Sequence, residues 1–172
     1  MAILIKAINS CEPINDMVIE KMAMVYCYEE PGQIESVKEY WSNWLTGENE
    51  GDKLTVVAED IKEQCLAGVV RFWKTPHCGN KWLIEGLEVI KPKRKSGLGK
   101  SMVEYGLNFL KSKGVDKISA NISSKNVASI KLHESLGFKK ISSGAINSYG
   151  DFRPYMDEYQ LVLASLWDNE VS

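Results

Sequence analysis

A chain of 172 residues, 44% apolar and 26% charged, has the make-up of an ordinary globular protein and excludes wholesale disorder. Its net charge of −2 gives no general pull toward nucleic acid, whose phosphates reward a large basic excess. Charged residues interrupt every apolar run, so nothing reaches the roughly 20 apolar residues of a membrane-spanning helix.

The start of the chain, residues 1–8, is apolar but short and lacks the basic lead-in and small-residue cleavage site of a signal peptide. Cys11, Cys27, Cys65 and Cys78 show no CxxC pair or metal-like spacing, and the two histidines, His77 and His133, are far apart. These features predict reduced thiols, no bound metal and a cytoplasmic setting. The length suffices to bury about two-thirds of the unfolded surface around one core.

In chain order, alternation at Ile3, Ile5 and Ala7 predicts an opening strand. Pro13 followed by Ile14, Val18, Met22 and Val25 predicts a helix with proline near its start. Ile34, Val37, Tyr40, Trp41 and Trp44 recur at three- and four-residue steps, a second amphipathic helix over 33–44 ending near Gly47, with both tryptophans read as packing residues. The period then changes. Residues 54–58 and 66–73, parted by the polar stretch 59–64, predict an antiparallel hairpin that 82–90 extends. Residues 91–100 form a basic loop with glycines, and Met102, Val103, Gly106, Phe109 and Leu110 share one face of a helix closed by Gly114.

Residues 115–122 predict another strand, 125–136 a helix capped by Gly137, and 138–141 and 159–163 two closing strands. The order predicts an α/β fold in one domain over 1–172, a mixed, mostly antiparallel sheet of about six to seven strands with helices on both faces. The strands beginning at Trp82 and Val115 are expected to run parallel through a right-handed crossover.

The stretch 87–101 leaves a strand, turns at Pro92 and enters a helix at its glycines. A helix N-terminus offers unpaired N–H groups and the positive end of the dipole; Gly97 and Gly99 clear the approach, and Arg94, Lys95 and Lys100 add charge. A solvated basic turn with a glycine cap is the simpler alternative. Spacing separates the phosphate loops. The nucleotide-triphosphatase pattern GxxxxGK[ST] ends well on Gly99, Lys100 and Ser101 but needs a glycine where Arg94 stands. The dinucleotide pattern GxGxxG meets Met102 at its third glycine.

Arg94-Lys95-Ser96-Gly97-Leu98-Gly99 resembles the acetyl-CoA loop of the GNAT superfamily of N-acetyltransferases, R/Q-x-x-G-x-G/A. The stretch from Asn126 to Phe138 resembles that family's N-x-x-[AS]-x-x-x-Y-x-x-x-G-F helix. The two matches span about residues 82–141. The resemblance implies an acetyl-CoA-dependent enzyme that acetylates a primary amine by direct transfer in a ternary complex, without a reactive cysteine.

By the same resemblance, the backbone of Leu87 and Val89 would bind the pantetheine arm as an added strand, and the N–H groups of Lys95, Ser96, Gly97, Leu98, Gly99 and Lys100 would cradle the pyrophosphate. Asn126 lies seven positions before His133, about two turns at ~3.6 residues per turn, which puts both on one helix side; a helix cap is the alternative for Asn126. His133 stands where the family most often has a tyrosine that protonates the departing thiolate. It is read as that acid, as a cofactor contact, or as a helix-surface histidine without a catalytic part.

Glu85 and Glu88 are the strand carboxylates available to take the amine's proton, on opposite faces of a regular strand unless a bulge intervenes. The acceptor, a small molecule or peptide amine, would be chosen by residues 22–44 and 142–159, where Tyr149, Phe152, Arg153, Tyr155 and Asp157 line a pocket or cover the sheet. A coenzyme A-binding module without turnover is a second functional class, a magnesium-dependent nucleotide binder a third, and a homodimer is compatible with all three.

Overall fold

The computed structural model describes residues 2–8, 15–47 and 51–163. Cys11, Pro13 and Ile14 lie outside them. The elements are β1 (Ile3–Ile8), α1 (Asp16–Tyr26), α2 (Ile34–Thr46), β2 (Asp52–Asp60), β3 (Cys65–Lys74), β4 (Trp82–Val89), α3 (Leu98–Ser112), β5 (Lys117–Ser123), α4 (Val127–Ser135), β6 (Lys139–Ile146) and β7 (Phe152–Val162). The seven strands form a mostly antiparallel sheet in the order β1-β2-β3-β4-β5-β7-β6. β4 and β5 are its parallel pair, as their spacing predicts. Among the described residues no helix is long and apolar enough to cross a membrane.

The chain clusters into two compact units. The first comprises Met1–Glu50, Leu54–Arg71 and Gly86–Tyr105. Asn15 caps α1 by accepting the Val18 N–H at 3.0 Å, and Gly47 ends α2 at φ 84°, a conformation that costs glycine little. Trp41 and Trp44 are buried as packing residues, and the Trp44 indole N–H donates to Thr55 Oγ1 at 2.9 Å. Arg71 is held between rings, its guanidinium carbon 4.9 Å from the centroids of both Tyr40 and Trp44. Leu54, Val56, Val57 and Ala58 on β2 and Leu66, Ala67, Val69 and Val70 on β3 are buried without alternation. Such uninterrupted runs mark a sheet covered on both faces.

The second unit comprises Gly51–Lys53, Phe72–Glu85 and Gly106–Ser172. Here β5 pairs in parallel with Trp82, Leu83 and Ile84 of β4 and antiparallel with β7 along its whole length. Phe72, Leu83, Leu107, Leu110, Ile118 and Leu161 form its interior. Gly106 permits that packing, because a Cβ there would lie 2.2 Å from Phe72 Cζ.

The closing hairpin differs from its expected extent. β6 runs to Ile146 and β7 begins at Phe152, so Phe152, Arg153, Tyr155 and Asp157 stand within the last strand rather than ahead of it. Asn147 Oδ1 ties the turn by accepting the N–H groups of Tyr149 and Asp151 at 3.0 and 2.9 Å. The short apolar runs hid these strands because five of the eight β6 residues and four of the eleven β7 residues are exposed, and two register shifts break the alternation of β6. Buried Asp157 is matched by Lys140 at 2.7 Å, and Glu158 by Lys81 at 2.7 Å.

Candidate active site

β4 changes character at Gly86. Its pairing with β5 stops at Ile84 opposite Ala120, and Gly86 takes φ 58°. The positive φ disfavours a side chain there, and a Cβ would have to displace Tyr26 Oη at 2.7 Å and Arg71 Nη2 at 2.8 Å. The Tyr26 hydroxyl donates to the Gly86 carbonyl at 2.5 Å, fixing the end of α1 against this point of the strand. The break falls between Glu85 and Glu88, so the strict alternation that would send them to opposite faces does not apply across it. Glu85, in the second unit, and Glu88, in the first, are both half-buried.

Beyond Val89 the chain makes a 3-10 turn over Lys91–Lys93. Lys93 is structural: its ammonium lies 2.6 Å from Asp60 Oδ2, and that carboxylate also accepts the N–H groups of Lys62 and Glu63. The Lys93 bond, with those two amides, holds the Asp60 carboxyl below the usual carboxylate range. Ser96 Oγ donates to the Lys93 carbonyl at 2.6 Å, and Lys95 and Gly97 take φ 61° and 83°.

Helix α3 makes its first internal bond from the Ser101 N–H to the Gly97 carbonyl at 3.0 Å. The N–H groups of Leu98, Gly99 and Lys100 precede it and have no acceptor within the helix. A Cβ at Gly97 would meet nothing within 4 Å, and Lys95, Ser96 and Gly97 are exposed. The turn leaves an open approach at Gly97 to the positive end of the α3 dipole.

Arg94, read from the sequence as added charge for a bound anion, is also engaged by the protein itself. Its Nε donates to the Val89 carbonyl at 2.8 Å, Nη2 to Glu88 Oε1 at 2.9 Å, and Nη1 lies 2.9 Å from Glu29 Oε2. Lys91 Nζ reaches the other Glu29 oxygen at 3.2 Å. Lys91 first, then Arg94, holds the Glu29 carboxyl below its ordinary range. Glu29, Tyr26 and Asp60 carried no signal in the sequence, because each is defined by a partner distant along the chain.

In the second unit, Asn126 precedes α4 and caps it, its Oδ1 accepting the Ser129 N–H at 3.1 Å. The cap reading therefore holds; Asn126 is exposed while His133 is 3% exposed. The helix-surface reading of His133 is corrected by the same burial. The ring packs edge-on to Phe138 with centroids 5.1 Å apart, and Nδ1 lies 2.8 Å from the Ser129 carbonyl.

A carbonyl only accepts, so Nδ1 carries the proton and Nε2 keeps a lone pair, buried without a hydrogen-bond partner. Burial pushes the imidazole pKa down, against the smaller opposing effect of the Ser129 bond, and a neutral ring of this tautomer has no Nε2 proton to give.

The sign of the linked stability change follows. The unfolded chain binds a proton near pH 6.5 and the folded one resists it, so stability falls as pH drops below about 6.5 toward the lowered folded value. His133→Phe is expected to remove this part of the slope and to be at least as stable at pH 7, read from Tm between pH 7.5 and 5. An unchanged slope in the variant would place the acid sensitivity elsewhere.

A strand opened at a glycine, a basic turn and a helix define an α/β protein with a strand-loop-helix turn. The sequence profile of the acetyltransferase (GNAT) family matches residues 19–138, and the chain belongs to that family. No curated protein matches the sequence.

Among solved structures, the fold is similar to aminoglycoside 6′-acetyltransferase type Ii, with TM-score 0.68 and 18% identity over 93% of this chain and 97% of that one. It is likewise similar to an aminoglycoside 6′-N-acetyltransferase complexed with coenzyme A, with TM-score 0.66 and 17% identity over 93% and 97%. An acetyltransferase of the GNAT family from Staphylococcus aureus Mu50 gives 0.64 and 16% over 94% and 99%. At such identities the likeness concerns the fold.

Proposed function

We propose that this chain transfers the acetyl group of acetyl-CoA to the primary amine of a small molecule or peptide, by direct attack with both substrates bound. The observation that carries the reading is the open N-terminus of α3, with unobstructed Gly97 and the unpaired N–H groups of Leu98, Gly99 and Lys100. Lys95, Ser96 and Lys100 complete the candidate phosphate cradle. Leu87 and Val89, on the part of β4 past its register with β5, are candidates to hold the pantetheine amides through their main chain. The Val89 carbonyl already accepts from Arg94, so its N–H is the better candidate to polarise the reacting carbonyl.

Acetyl-CoA supplies the thioester. The amine's proton needs an acceptor, for which Glu85 and Glu88 are the candidates, and proton uptake at Glu88 competes with its pairing to the Arg94 guanidinium. Glu85, flanking Gly86 at the break in the strand, is the proposed base. His133 is better read as a positioning residue than as the acid for the departing sulfur, because its neutral ring has its proton on Nδ1.

The lack of a donor at His133 also favours, as a second reading, a coenzyme A-binding module without turnover. Calorimetric titration with coenzyme A, acetyl-CoA and magnesium-ATP tests both. Coenzyme A compounds are expected to bind and ATP not to. Gly99→Trp is expected to weaken that binding by at least about tenfold, the worth of one lost charge-assisted bond, with Tm kept. Binding of ATP alone, or of nothing, sinks the assignment; binding without acetylation of any amine in a screen favours the module.

A further inference from the structure

Glu29 sits between α1 and α2, yet both of its carboxylate oxygens are spent on cations of the β4–α3 turn, Lys91 at 3.2 Å and Arg94 at 2.9 Å. Arg94 is thereby shared between Glu29 and Glu88, beside the N–H groups that lead into α3. Two points now join the end of α1 and the chain after it to this strand and turn: Tyr26 to the Gly86 carbonyl, and Glu29 to Lys91 and Arg94. The second is the weaker one, because the Glu29, Arg94 and Lys91 side chains are 43%, 45% and 70% exposed, and exposed ion pairs exchange partners at small cost.

We infer that Glu29 is an internal competitor for the phosphate loop: a phosphorylated ligand arriving at the N-terminus of α3 takes Lys91 and Arg94 from it, and the α1–α2 connection is released. The inference rests on the reading of that loop as a coenzyme A site. The carboxylate and the ligand phosphates are anions of the same cations, and two cannot be paired fully with each at once. Occupancy of the cofactor site is thus signalled to the segment between the first two helices, which in the proposed enzyme borders the acceptor.

The test compares the full-length chain with Glu29→Gln and, as a control for charge alone, Glu30→Gln one residue away, a carboxylate whose contact is with Gln33 at 3.5 Å. Coenzyme A is titrated calorimetrically into each, and amide hydrogen exchange is followed over residues 27–33. Glu29→Gln is expected to bind coenzyme A about two- to tenfold more tightly, the range set by one or two exposed ion pairs, while Glu30→Gln matches the parent. Exchange over 27–33 is expected to rise on coenzyme A binding in the parent and to be high with or without it in Glu29→Gln. Equal gains in both variants, unchanged affinity, or exchange indifferent to coenzyme A overturns the inference while leaving the coenzyme A site standing. Absence of coenzyme A binding by the parent overturns that reading and this one together.

Discussion

Glu85→Gln is expected to lower kcat by about 10²- to 10⁴-fold, the usual worth of a positioned general base, while leaving the affinity for coenzyme A within about twofold. Glu88→Gln is expected to do the reverse, changing cofactor affinity a few-fold through the released Arg94 and leaving kcat within about tenfold. Two placements carry the expectation. Glu88 accepts a hydrogen bond from the Arg94 guanidinium at 2.9 Å, and proton uptake there competes with that pair. Glu85 stands next to Gly86, where the strand turns out of its regular course. Steady-state kinetics with an amine identified by screening, beside thermal melts, separates chemistry from folding. A large kcat loss in Glu88→Gln with an ordinary Glu85→Gln moves the base to Glu88.

Gly106→Ala is expected to destabilise the chain by about 1–3 kcal/mol despite the gain of about 1 kcal/mol that alanine brings to a helix interior. The added methyl would sit 2.2 Å from Phe72 Cζ and 2.3 Å from Cε2, and Phe72 is fully buried in the interior of its unit. Close-packed interiors give way by shifting backbone or forcing rotamers, at that order of cost. A Tm lower by roughly 2–12 °C is the signature at this chain length. Phe72→Leu in the same chain is expected to restore part of the loss, since the two sites share one contact and their effects are not additive. A Tm equal to or above the parent's shows that α3 can move away without cost.

The sequence and the structure part company at definite residues. The 3.6-residue repeat of Ile34, Val37, Trp41 and Trp44 needed no tertiary information to give α2, nor Gly47 to end it, because side-chain period and positive φ are local demands. The parallel pairing of β4 with β5 was legible from a strand, a helix and a strand in succession. The last two strands were only half visible. Their exposed aromatic and polar residues, among them Phe152, Tyr155 and Arg153, read as a segment before a strand, and the register shifts of β6 removed the alternation that would have corrected it.

The candidate site divides in the same way. The glycines, the basic residues and the helix start of the β4–α3 turn are consecutive in the chain, so their spacing could be compared with known phosphate loops by inspection. The partners could not. Tyr26 meets a carbonyl 60 residues away, Lys93 a carboxylate 33 residues away, and Lys81 one 77 residues away. His133 is decided by neighbours too: its proton sits on Nδ1 because of the Ser129 carbonyl, and its neutrality comes from burial, neither of which its place in the helix pattern reveals. The sequence alone determined the order of elements, the strand-loop-helix turn and the family resemblance, since each is written in neighbouring residues. Only the tertiary structure decided that Arg94 is held by Glu29 and Glu88 and that His133 is a buried acceptor, because charge pairing and desolvation depend on groups that folding brings together.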